Sequence, residues 1–141
     1  MRKRPAPPSH PGLDREGRSA LHYAAQQDNL EGIAGLLREG ADPNLQDRSG
    51  WTPLHFAAQA NSAPCIEALL HGGANPALSD SDGNTALFRA VFASRGSGDV
   101  IHLLRAAGAD PNALNSHGIS PLTLARTISN YDVAQFFADL P

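Results

Sequence analysis

Apolar residues in this chain fall into two kinds of short block, and the two kinds alternate. The first kind is small and compact: Leu21, Ala24 and Ala25, then Leu54, Ala57 and Ala58. The second is larger, Ile33, Leu36 and Leu37, then Ile66, Leu69 and Leu70, at the i, i+3, i+4 spacing of one helix face. Each pair of blocks therefore predicts two short helices. Ser19, Thr52, Thr85 and Ser120 stand where the first helix must begin, and a hydroxyl there accepts an orphan backbone N–H. Pro53 and Pro121 follow at the first helical position, where a missing N–H costs nothing. Gly40, Gly73 and Gly108 end the second helix, and Pro43, Pro76 and Pro111 stop any continuation. An extended finger then leads to the next turn.

The turns set the register. Asp14–Gly17 recurs as Asp47–Gly50, Asp80–Gly83 and Asn115–Gly118, in steps of 33, 33 and 35 residues. Two residues after each glycine comes SALH, TPLH, TALF or SPLT, starting at Ser19, Thr52, Thr85 and Ser120. The first three units close with GADPN from Gly40, GANPA from Gly73 and GADPN from Gly108. A 33-residue period carrying this block resembles the ankyrin-repeat family, over residues 14–140. The resemblance implies an all-α solenoid of four helix-turn-helix repeats with β-hairpin-like fingers. The repeats are 14–46, 47–79, 80–114 and 115–141, in one domain over 14–141. No single unit can bury its apolar face, so stacking must do so.

Two units depart from the pattern. Unit three has two extra residues within Ser94–Gly98, and Arg105 at the place of Leu37 and Leu70. Unit four lacks the closing motif. Its second helix is expected over Asp132–Leu140 as a C-terminal cap, with Tyr131, Gln135 and Asp139 supplying polar groups. The chain then reads as a complete solenoid with no appended domain.

Composition narrows the class. At 41% hydrophobic and 18% charged, 141 residues suffice for one folded domain. Abundant alanine and only 6% aromatics suit closely packed helices. Cys65 is the one cysteine, which excludes an internal disulfide. No apolar run approaches the roughly 20 residues of a membrane span. Arg2, Lys3 and Arg4 are followed by prolines, where a signal peptide needs an apolar stretch. The expectation is a cytoplasmic protein with a loose basic arm at 1–13. Net charge is −3, and residues 14–141 alone carry −6. An acidic body argues against nucleic acid as the main ligand, and leaves the arm as the single contrary feature.

Candidate chemistry is thin. His22 and His55 lie 33 residues apart and stack in adjacent units, but a metal site needs three or four converging ligands. An imidazole bridging backbone groups of neighbouring loops explains them better. His10, His71, His102 and His117 share no spacing. Cys65 lies beside Ile66 on an apolar face, as a buried inert thiol would. Asp14, Asp47 and Asp80 begin turns, where aspartate accepts local N–H groups. No phosphate loop, dinucleotide fingerprint, zinc-protease motif or Cys-x-x-Cys pair is present. The expectation is a protein that is not an enzyme, with no cofactor and no metal.

Positions that the repeat leaves free point to a partner. They are the residue after the turn glycine, the end of the first helix and the finger tip. The resemblance implies that these form the concave, contact-making face. The candidate site is Trp51, Phe92 and Ile119 as an apolar strip, with Arg18, Arg48, Asn84, Gln59, Asp82 and His117 around it. Trp51, the only tryptophan, is read either as an anchor standing outside the inter-repeat core or as a ring packed over the neighbouring fingers. The expected activity is binding another protein, as a stand-alone inhibitor, immunity protein or adaptor, monomeric when unbound. The last repeat, from Gly118 to Phe137, resembles that of small bacterial ankyrin proteins, some of which block a cognate toxin. The rival readings are self-association through an open end of the stack, and nucleic-acid binding through the basic arm.

Overall fold

The first helix of each unit starts at a hydroxyl. Thr52, Thr85 and Ser120 accept the backbone N–H of His55, Phe88 and Thr123. The computed structural model describes residues 13–141, so Arg2, Lys3 and Arg4 of the arm lie outside the described residues. The helices are α1 (Ala20–Gln26), α2 (Leu30–Arg38), α3 (Pro53–Gln59), α4 (Ala63–His71), α5 (Ala86–Ala93), α6 (Asp99–Ala106) and α7 (Pro121–Thr127). A 3-10 helix, Val133–Phe137, ends the chain. The first helices stack in one row, α1 on α3 on α5 on α7, and α2, α4 and α6 stack in a second. The core fills the space between the rows. Leu21, Ile33, Leu54, Ile66, Leu87, Ile101 and Leu104 are all buried, and Ala25, Ala57, Ala58 and Ala90 let the rows close up.

Each second helix of units one to three ends in the same way. In unit one the Gly40 N–H donates to the Leu37 carbonyl and the Ala41 N–H to the Leu36 carbonyl, both at 3.0 Å. Gly40 holds φ +90°, the left-handed conformation this double bond requires. Between the helices of a pair, Asp28 and Asn61 take φ +56° and +54°, which their residue types tolerate.

The fingers are tight turns. In unit two, Asp47 Oδ1 accepts the N–H of Ser49 and of Trp51 at 2.9 and 2.8 Å. Asp14, Asp80 and Asn115 do the same in their units. The side chain thus takes N–H groups that a ladder would otherwise use. Among the described residues the fingers contain no named strand, only an isolated bridge between Ser79 and Thr85. Consecutive fingers are joined by single backbone bonds, Arg48 N–H to Glu16 O, Ser81 to Ser49 and Ser116 to Asp82, at 2.8–2.9 Å. Gly50 serves this contact, because a Cβ there would lie 2.8 Å from Asp80 Cα.

Two histidines tie units together, as expected. His22 Nδ1 accepts the Ser19 N–H, and Nε2 faces the Trp51 carbonyl, both at 2.9 Å. His55 repeats this with the Thr52 N–H at 3.1 Å and the Asn84 carbonyl at 2.8 Å. A carbonyl only accepts, so Nε2 carries the proton in the neutral ring. Phe88 interrupts the series at unit three.

The fourth unit differs from expectation. In place of a helix over Asp132–Leu140 there is the short 3-10 turn Val133–Phe137, with no side-chain cap at Asp132. A single terminal turn gains little from an α ladder, and 3-10 geometry suits short pieces. Val133 and Phe137 are nevertheless buried, so the turn closes the core. Arg105 explains its own departure from the leucine pattern. It pairs bidentately with Asp139 at 2.8 and 2.7 Å and also donates to the Phe136 carbonyl at 2.9 Å. Its guanidinium holds the Asp139 carboxyl below the usual carboxylate range. Gly98, within the insertion, lies against the Phe136 ring, where a Cβ would approach to 2.5 Å.

Leu54 is 1% exposed in the middle of the stack. Leu54→Ala is expected to destabilise the protein by about 2–5 kcal/mol, read from chemical denaturation. An unchanged midpoint would mean that the buried face is wrongly assigned.

Acid should weaken the stack. Burial pushes both His22 and His55 below the usual histidine pKa, against the smaller upward pull of their carbonyl partners. The unfolded chain takes up a proton near pH 6.5 that the folded ring refuses. Stability is therefore complete above that pH and is lost as pH falls through it, by up to about 1.4 kcal/mol per pH unit for each ring. Denaturation midpoints between about pH 7 and pH 5 test this, and His55→Phe should remove one ring's share of the slope.

Candidate protein-binding face

The first helices and the fingers share one side of the stack, and cations and aromatic rings interleave along it. Asp47 and Asp80 use Oδ1 for their turns, which leaves Oδ2 for arginine. Arg18 Nε reaches Asp47 at 3.2 Å, and Arg89 reaches Asp80 at 2.9 Å, with both carboxylates 1% exposed. The Arg18 guanidinium lies 5.2 Å from the Phe56 ring. The Trp51 ring packs against Phe56 with centroids 4.9 Å apart, and the Arg89 guanidinium covers it at 4.5 Å. Arg89 Nε is buried with no hydrogen-bond partner.

This arrangement bears on the two readings of Trp51. Trp51 is half-buried, and its contacts bridge α3 of unit two and α5 of unit three. It belongs to the packing between units, in line with the second of the two readings that its place in the sequence left open. Asn84 is corrected. It is 7% exposed, its side-chain oxygen accepts from Asn115 Nδ2 at 2.9 Å, and its carbonyl is held by His55. A polar residue so placed joins adjacent units.

The other candidates lie open or partly open. Phe92, at the end of α5, is 65% exposed, and Ile119 is 36% exposed. Gln59, Arg48, Asp82 and His117 are exposed, and the Arg18 side chain is 28% exposed. Two clefts flank Phe92. One, of about 470 Å³, runs toward Gln59 and Asn61. The other, of about 240 Å³, runs toward Leu124 and Tyr131. Arg95 and Phe92 line both. Arg95, Tyr131 and Ser94 were missed as site residues. The signal for Ser94 and Arg95 was the insertion in unit three, which reads in sequence only as a broken period, while Tyr131 reads in sequence only as a polar group of the C-terminal cap. Leu114, 67% exposed where units one and two have Gln46 and Ser79, was missed as well.

Chemistry at other polar groups is accounted for locally. Cys65 is buried and donates to Asp28 at 3.3 Å, and Ser62 Oγ donates to the same carboxylate. Burial pushes the thiol up, while the Ser62 and Cys65 bonds lower Asp28. Among the described residues no group of three or more histidine, cysteine or acidic side chains could hold a metal ion. No helix among them is long and apolar enough to cross a membrane.

The two rows of paired helices, with tight fingers between units, define an all-α repeat solenoid. A family model for ankyrin repeats, in three copies, matches residues 21–115, two thirds of the chain, and the protein belongs to the ankyrin-repeat family. Such repeats are generally protein–protein interaction modules. No curated protein matches the chain.

Trp51→Ala is expected to lower stability by about 1–3 kcal/mol, through loss of the Phe56 contact and of the ring beneath Arg89. Chemical denaturation at neutral pH measures it. A variant as stable as the parent would show that the ring is not a structural link between units.

Proposed function

We propose that this protein binds a partner protein on the face carried by its first helices and fingers, with Phe92 as the apolar anchor. One observation carries the reading: a phenylalanine two-thirds exposed, with a cleft on either side. Aromatic side chains left open on a surface are enriched among interface hot spots. Ile119 and the open edge of Trp51 extend the apolar part. Arg48, Gln59, Asp82 and His117 form its polar surround, with Arg18 at one edge. Binding is then the activity itself, in an inhibitor, an immunity protein blocking a cognate toxin, or an adaptor. We place it in the cytoplasm, as a monomer until it meets its partner. The single, buried thiol accords with a reducing compartment.

The test compares wild type with Phe92→Ala. Proteins captured from the native host by each are quantified, and the partner lost with the variant is then titrated. Its Kd should rise about thirtyfold or more, as for an anchor worth about 2 kcal/mol. The melting temperature should stay the same, because Phe92 lies outside the core. Full-strength binding by Phe92→Ala rejects this face. An inhibitor or immunity role further requires that the partner's own activity fall when the two are mixed.

A further inference from the structure

The row of second helices begins at α2 with no repeat before it, and the later units show what that leaves uncovered. In α4 the side toward the preceding unit carries Ser62 and Cys65, which both bond Asp28 of unit one. Gly32 holds the place of Cys65 in α2. Leu69, Leu104, Ala74 and Ala109 are buried, whereas their counterparts Leu36 and Ala41 are only half-buried. Pro53, Ala86 and Pro121 are buried at the start of a first helix, whereas Ala20 is exposed. Leu30, at the head of α2, is 43% exposed. Charge on this helix and the loop after it is one-sided. Glu31, Glu39 and Asp42 are exposed with Arg38 alone to balance them, and none of the four forms an ion pair among the described residues.

The register of the repeat also gives the direction from which the chain enters unit one. Residues 40–46 run from the end of α2 to the finger of unit two, and they lie against the end of α4. Asn44 Oδ1 accepts the Asn75 N–H at 2.7 Å, and its Nδ2 donates to the Gly73 carbonyl at 3.1 Å. Residues 7–13 stand 33 positions earlier, before the finger of unit one. The Asp14 N–H donates to the Arg18 carbonyl as the Asp47 N–H does to Trp51, so the chain enters both fingers alike.

We propose that residues 1–12 of the same chain cover this face, docking along the outer side of α2 with Arg2, Lys3 and Arg4 against Glu31, Glu39 and Asp42. Followed back from Leu13 on the course of unit two, the chain reaches the end of α2 near residue 7. The residues before that span about 19 Å when extended, more than the roughly 14 Å of a nine-residue helix. Three cations with no acidic residue among them meet three carboxylates. Pro5, Pro7, Pro8 and Pro11 limit the freedom lost on docking and bring apolar rings to Leu30 and Leu36. A second copy presenting the same face would bring like charges together. The arm then stands in for a preceding repeat, on the second-helix row and away from Phe92. Its cations are used within the chain instead of being offered to a nucleic acid.

The test uses the full chain with a nitroxide on Ala6→Cys, in a Cys65→Ala background, and follows amide signals by NMR. Leu30, Leu36 and Ala41 should lose most of their intensity, while Leu122 and Ala125 of α7 keep theirs. Salt near 1 M, where charges act over roughly 3 Å, should restore much of the loss. Arg2→Glu, Lys3→Glu and Arg4→Glu together should abolish it. Adding Glu31→Lys, Glu39→Lys and Asp42→Lys to that chain should bring it back. Even broadening over all units, none at α2, or broadening centred on Phe92 and Ile119 would overturn the proposal. So would broadening that survives the charge reversal, or a charge swap that fails to restore it. Spin-labelled chain mixed with isotope-enriched chain that carries no nitroxide should leave the enriched signals sharp. Broadening in that mixture would give the face to the arm of a second copy and overturn docking within one chain.

Discussion

Helices of seven to nine residues do not hold their shape alone in water, because nucleation costs more than so few hydrogen bonds return. Every α-helix among the described residues is of that length, so the stack exists only because each unit lends its neighbour a surface. Leucine and isoleucine fill the space between the two helix rows, and alanines at the row contacts set their separation. The arrangement is one-dimensional, and its weak places are its ends. At the C-terminal end a single 3-10 turn supplies Val133 and Phe137 to the core, and Arg105 fastens it through Asp139 and the Phe136 carbonyl. The leucine given up at position 105 is replaced by that fastening.

The polar groups follow the same economy. Asp47 and Asp80 each split their two oxygens between a turn and an arginine. Those arginines lie over Phe56 and Trp51, so the turns, the helix starts and the aromatic face are mechanically one object. Side chains already held by such contacts have less freedom to lose when a surface of this kind is covered. Phe92 and Arg95 stand where this network stops, at the loop lengthened by two residues.

Much of the fold was legible because the repeat prints its constraints at fixed intervals. The hydroxyl caps Thr52, Thr85 and Ser120, proline at the first helical position and the closing glycines all do what their chemistry requires. The histidines bridged backbone groups, as their spacing implied. The fourth unit was less legible, because a lone pair of buried residues at Val133 and Phe137 satisfies a helix and a 3-10 turn equally well. The candidate face was read less well still. Conformity to a motif says which positions are spoken for, but not which side chains at the free positions turn inward. Asn84 is held by Asn115 of the next unit, and Trp51 lies beneath Arg89, neither of which follows from one repeat read in isolation. Ser94 and Arg95 belong to an insertion, for which the other units offer no template.

The histidine bonds have a consequence for how such a protein can change. His22 and His55 grip the carbonyls of Trp51 and Asn84, at the positions just after each turn glycine. Every amino acid has that carbonyl. The clasp between units is therefore blind to the side chain at the position it holds. Substitutions there leave the clasp intact, whatever else they disturb. A substitution at either position therefore acts through the packing of its side chain, while the fastening through the main chain stays the same.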